Sequence, residues 1–223
     1  MGPQELSAAP IPRGRFITLE GGEGAGKSTQ IRRLGERLRA MGLGVVETRE
    51  PGGSPGAEEI RGLLLGGGVE RWDGVTEALL MYAARRDHLA RTVWPALERG
   101  QWVLCDRFED STRAYQGAGS GLERAVIDAL GQVVRGAFAP DLTLILDLPV
   151  AVGRARAAAR RGPDDRFEQR DDTFHERVRQ GFLAIAAAEP ERYLVIDASQ
   201  PLEAVSDAIW QAVERRLAPA ASA

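Results

Sequence analysis

Apolar residues fall along this chain in two alternating rhythms. Five short apolar runs, at 15–20, 44–48, 102–105, 142–147 and 193–196, predict strands. Each is followed by a segment whose apolar residues stand three or four apart, as in Ile31, Leu34, Leu38 and Met41, or Leu202, Val205, Ile209 and Val213. That spacing lines one face of a helix. Strands this apolar, separated by amphipathic helices, predict an α/β fold with a five-stranded parallel sheet flanked by helices, and ligands at the carboxyl ends of its strands. Residues 1–14, rich in Pro, Ala and Gly, predict a flexible N-terminal arm, and 218–223 a C-terminal tail. No linker or internal repeat interrupts 15–217, which reads as a single domain.

Composition narrows the function. A formal net charge of −3 and a pI near 5.6 give no global attraction to polymeric nucleic acid or to an anionic membrane, so any anion site must be local. No segment is apolar enough to span a bilayer and the first fifteen residues lack a signal-peptide core, which predicts a cytoplasmic protein. The single cysteine, Cys105, sits in an apolar run and excludes an internal disulfide or a cysteine-built zinc site. Among the 29 basic residues only Lys27 is lysine; the other 28 are arginine. A site that needs a compact ammonium is where lysine would persist.

Lys27 falls in Gly21-Gly22-Glu23-Gly24-Ala25-Gly26-Lys27-Ser28-Thr29, the spacing of a Walker A phosphate loop between a predicted strand and a predicted helix. There the glycines let backbone N–H groups surround phosphate oxygens, Lys27 reaches the β and γ phosphates, and the Ser28 hydroxyl serves Mg²⁺. A second acid at a strand end is needed for the metal or its waters, and Asp106 closes the 102–105 run with Arg107 beside it. A guanine-reading Asn-Lys-x-Asp segment cannot exist in a chain whose one lysine is Lys27, which excludes a switch GTPase. Open alternatives are another nucleoside-monophosphate kinase, a deoxynucleoside kinase, or a P-loop protein that binds ATP without a phosphoryl acceptor.

Several further motifs stand in order: Thr48-Arg49-Glu50-Pro51-Gly52-Gly53, Tyr82-Ala83-Ala84-Arg85, Asp106-Arg107-Phe108 and Ala114-Tyr115-Gln116-Gly117. With the phosphate loop they make the chain resemble the thymidylate kinase family, from about residue 15 to the last helix. The resemblance implies a P-loop nucleoside-monophosphate kinase fold with a lid at about 160–170, a homodimer, Mg²⁺ with ATP as donor, and dTMP as acceptor. It places Glu23 near the deoxyribose 3′-hydroxyl, Glu50 near the metal or its waters, and Pro51 and Arg61 along the acceptor pocket. The acceptor phosphate would face Arg107, with Arg49 as a weaker choice. Arg85, Thr112, Tyr115 and Gln116 match positions that read the base. Met81 departs from the pattern, because the family usually has a phenylalanine there stacked on thymine.

Some members of the family carry an arginine inside the phosphate loop, where this chain has Gly24. The charge must then come from Arg154, Arg156, Arg160, Arg161 or Arg166, on a helical stretch running into a Gly-Pro loop suited to close over ATP. Arg156, Arg160 and Arg166 are the expected catalytic members, beside Lys27, Asp106 and Arg107. His88 and His175 lack metal-ligand partners in the sequence and suit surface or core positions.

Overall fold

The computed structural model describes residues 13–159 and 166–217. Strand β1 (Phe16–Glu20) leads through the phosphate loop into α1 (Lys27–Ala40) and on to β2 (Val45–Arg49). Helices α2 (Pro55–Leu65), α3 (Gly74–His88), a π-helical turn (Leu89–Val93) and α4 (Trp94–Glu98) precede β3 (Trp102–Asp106). Then follow α5 (Glu109–Thr112), a π-helical stretch (Arg113–Gly119), α6 (Arg124–Arg135), β4 (Leu142–Asp147) and α7 (Val150–Ala158). The chain ends with α8 (Asp172–Ala188), β5 (Tyr193–Asp197) and α9 (Leu202–Leu217).

The five predicted strands form one sheet in the order β2-β3-β1-β4-β5, with every pairing parallel. Parallel crossovers need helices, which cover both faces, so the inner strands are buried throughout and show no polar alternation. On one face Ile17, Leu19, Leu104 and Leu144 pack with Ile31, Leu34 and Leu38 of α1 and Ile209 and Val213 of α9. On the other, Phe16, Val103 and Cys105 meet Leu89, Val93 and Leu97, while Ile145 and Tyr193 meet Phe174, Val178 and Phe182 of α8. The Thr18 and Thr143 hydroxyls, buried between β1 and β4, bond each other at 2.9 Å. β2 lies at the edge, and Glu47 on it pairs with Arg39 at 2.6 Å; a charge there discourages further strand addition.

Register decides where the chemistry sits. Leu19 pairs with Asp106, so the loop leaving β1 and the Asp106-Arg107 pair leaving β3 emerge side by side. Residues 1–12 of the expected arm, the 218–223 tail and 160–165 of the expected lid lie outside the described residues. The Gly14 N–H already donates to the Leu97 carbonyl at 3.0 Å. No described helix is long and apolar enough to cross a membrane.

Candidate active site

The phosphate loop is shaped by close backbone contact. Gly24 has φ of +68°, and a Cβ there would stand 2.1 Å from the Gly153 carbonyl oxygen of α7. No side chain fits, which is the steric reason the loop carries no arginine at that place. α1 begins at Lys27 with no acidic residue in its first turn and no side-chain cap, so its N-terminal amides remain for an anion. The Lys27 ammonium donates to the carbonyls of Gly21 at 3.1 Å and Gly22 at 2.9 Å. Burial, with Arg107 adding to it, lowers the Lys27 pKa, against the pull of Asp106, Glu23 and Glu20. One residue on, the Ser28 hydroxyl donates to Asp106 Oδ2 at 2.6 Å and joins the loop to β3.

Arg107 is the one non-glycine residue with positive φ among the described residues, at 71°. Such a conformation costs roughly 1–3 kcal/mol and persists where the surroundings over-determine it. Here its N–H donates to the Leu19 carbonyl at 2.9 Å. Its guanidinium donates to the Gly21 carbonyl at 3.0 Å, Ser111 Oγ at 3.2 Å, Glu23 Oε1 at 2.6 Å and the Tyr115 hydroxyl at 3.1 Å. Tyr115 in turn donates to Glu23 at 2.7 Å. Burial opposes the Arg107 charge, but Tyr115, Glu23, Asp106 and Glu20 outweigh it and raise its pKa further. Below, Glu20 accepts from the Phe108 N–H at 2.7 Å and from Ser111 at 2.6 Å; burial, then Asp110, push its pKa up to about 7.

From this phosphate end a cavity of about 490 Å³ continues to a second, more apolar end lined by Leu65, Met81, Phe108 and Phe167. Arg85 is buried there, with Nε on Glu50 at 2.7 Å and Nη2 on the Phe108 carbonyl and Thr112 Oγ1, both at 3.1 Å, while Nη1 has no partner. Gln116 donates through Nε2 to Glu77 at 3.0 Å, and its Oε1 has no partner. Buried polar atoms are ordinarily paired. Arg85 and Gln116 both line the cavity, so one buried donor and one buried acceptor are left unpaired beside it.

Most residues expected from sequence come together here. The cavity is lined by 23–29 of the phosphate loop and by Glu50, Pro51, Arg61, Met81, Arg85, Asp106, Arg107, Thr112, Tyr115, Gln116 and Arg156. Gly21 and Gly22 are not among its lining; their carbonyls hold Lys27 and, at Gly21, Arg107. Arg156 also donates to the Ala198 carbonyl at 3.1 Å. Arg154 turns away to Asp172 and the Arg170 carbonyl, and Arg160 and Arg161 lie outside the described residues.

Two expectations need correction. Arg166 does not line the cavity: it is 1% exposed, paired with Glu77, and bonded to the carbonyls of Leu64 at 3.1 Å and Val69 at 3.2 Å. It fastens the start of the 166–171 segment to α2 and α3. Arg166→Ala is therefore expected to strand the Glu77 carboxylate and cost about 3–5 kcal/mol of stability. Thermal melting would read this as a fall of roughly 6 °C or more, and an unchanged melting temperature would argue against it. Glu50 is not a third oxygen beside Ser28 and Asp106. Its two oxygens serve Arg85 and, at 2.9 Å, His88 Nδ1, so it holds the Arg85 guanidinium in place.

Sequence reasoning gave no site role to Leu65 or Glu77, nor to Glu20, Phe108 and Phe167, which stand in or beside its motifs. Glu77, Met81 and Arg85 stand four apart in α3, a helical spacing that places all three on one face and could have drawn Glu77 into the site. Only a tertiary contact, with the Tyr115 and Phe167 ring centroids 5.9 Å apart, brings Phe167 to the apolar end of the cavity.

A phosphate loop on β1, an acid and a cation leaving β3, and an adjoining acceptor chamber define a P-loop nucleotide kinase. Comparison with known proteins gives the particular one. The thymidylate kinase family model matches residues 19–209. The thymidylate kinase of Caulobacter vibrioides is 60% identical over 207 residues, covering 93% of this chain and 99% of that protein. That of Alkalilimnicola ehrlichii is 57% identical over 203 residues, covering 91% and 94%. A crystal structure of thymidylate kinase from Ehrlichia chaffeensis superposes with a TM-score of 0.75 at 34% identity, covering 91% of this chain and all of that one. The chain belongs to the thymidylate kinase family and is a nucleoside-monophosphate kinase.

Proposed function

We propose that this kinase transfers the γ-phosphoryl group of ATP to dTMP, giving ADP and dTDP for dTTP synthesis. The observation that supports this reading is the continuity of one cavity from Lys27 to Arg85 and Gln116, since phosphoryl transfer needs donor and acceptor held in one site. ATP lies with its β and γ phosphates on the loop amides and Lys27. The acceptor phosphate faces Arg107, whose Glu23 and Tyr115 partners hold the guanidinium in place, and Glu23 stands near the deoxyribose 3′-hydroxyl. Arg85 Nη1 donates to a thymine carbonyl oxygen, Gln116 Oε1 accepts from the imide N–H, and Met81 and Phe167 flank the ring. Pro51 and Arg61 bound the acceptor side. An acceptor phosphate oxygen attacks the γ phosphorus, and ADP leaves. Arg156, one helical turn past the Gly153–Gly24 contact, supplies charge to the phosphoryl group in flight; Arg160 is its lid partner in this role.

Mg²⁺ fits the residues present. Ser28 and Asp106 offer adjacent hard oxygens at the end of the phosphate loop. That suits an ion that keeps several waters and shares the donor phosphates. When bound it neutralises charge on the β and γ oxygens. We further propose a cytoplasmic homodimer. Leu63, Val75, Leu79 and Val133, exposed on α2, α3 and α6, supply apolar surface for the contact.

Coupled ADP release tests the assignment: it is expected to be fast with ATP and dTMP and slow with dUMP, AMP, GMP, thymidine or no acceptor. Release no faster with dTMP than with these would overturn it.

A further inference from the structure

We infer that Glu77 is a positioning residue for base selection: it sets the direction of the Gln116 amide, and so makes that side chain an acceptor toward the cavity. The inference rests on the proposed reading of Gln116 as a base contact, and deepens it.

A glutamine amide can present either its oxygen or its NH₂ group, and the two ends differ little in shape. Left to itself, Gln116 could read a ring nitrogen that carries hydrogen or one that does not. Glu77 removes the choice. It is 1% exposed, on the same face of α3 as Met81 and Arg85. Its Oε1 is taken by the Arg166 guanidinium and its Oε2 accepts from Gln116 Nε2 at 3.0 Å. A carboxylate paired with a guanidinium has only acceptors to offer, so Gln116 must turn its NH₂ group to Glu77 and leave Oε1 for the ligand.

Arg85 is fixed by the same logic. Glu50, the Phe108 carbonyl and Thr112 take its other donors and leave Nη1. The wall therefore presents one donor and one acceptor, which match the carbonyl and imide N–H of thymine. Cytosine offers an amino group and an unprotonated ring nitrogen and meets both with the wrong sign.

The test uses the full-length enzyme and steady-state kinetics with ATP, dTMP and dCMP. In Glu77→Gln, the new amide oxygen stays on Arg166 and its NH₂ group faces Gln116, which must then turn its own NH₂ group to the cavity. KM for dTMP is expected to rise about 10-fold or more, and the preference for dTMP over dCMP to shrink by a similar factor. KM for ATP should stay within about twofold. The double variant E77Q/Q116E again places an acceptor in the cavity, because the amide introduced on α3 donates to one oxygen of the new carboxylate and leaves the other. Recovery of KM for dTMP to within about threefold of the parent is expected.

A merely structural role for Glu77 predicts no such rescue, so absence of rescue overturns the proposal. If Gln116→Ala raises KM for dTMP while E77Q does not, the Glu77 proposal alone fails. If Gln116→Ala leaves KM unchanged, the reading of Gln116 fails, and this inference with it. KM reports on the folded fraction only, and should E77Q not fold, retention or loss of dTMP selectivity in the double variant decides.

Discussion

Replacing Lys27 with alanine is expected to lower kcat by about 10²–10³-fold or more while leaving the melting temperature unchanged. The ammonium bonds two loop carbonyls, and holding it in a dry site already lowers its pKa. Its removal therefore takes charge from the donor phosphates and little from the fold. Coupled ADP release and thermal melting, measured on the same preparation, separate the two effects. Turnover near the parent level would remove the phosphate loop from the mechanism.

Arg107→Ala is the second large effect. The guanidinium joins the Gly21 carbonyl, Ser111, Glu23 and Tyr115, and its backbone is held at positive φ by the Leu19 carbonyl and the β3 exit. Alanine removes the cation and takes its counter-charge from the Glu23 carboxylate. kcat/KM for dTMP is expected to fall about 10²-fold or more, chiefly through KM for dTMP, with KM for ATP moving much less. An increase confined to KM for ATP would place Arg107 on the donor instead.

These two variants probe the parts of the site that local sequence makes legible. The five strands are legible to within a residue or two at either end, because strands buried on both faces read as plain apolar runs, as at 142–147. The phosphate loop is legible because its mechanism lies within nine consecutive residues, and Asp106-Arg107 because a strand end fixes where they emerge. Arg166 and Glu50 are not. Each charge is assigned by a partner far along the chain: Arg166 meets Glu77 across 89 residues, and Glu50 meets Arg85 across 35. The same holds for Gln116, whose amide direction depends on a glutamate 39 residues earlier.

Sequence by itself thus determined the fold class, the Lys27 loop, the strand-end pair and the family. Local spacing encodes those features, and the few residues that carry them are chemically distinctive. Only the tertiary structure decided that Arg166 is buried against Glu77 while Arg156 lines the cavity, why Gly24 leaves no room for another, and which buried polar atoms stay unpaired. A guanidinium carries the same charge wherever it stands. Its role depends on the acceptor it meets after folding, and in a parallel α/β chain those acceptors come from distant crossovers.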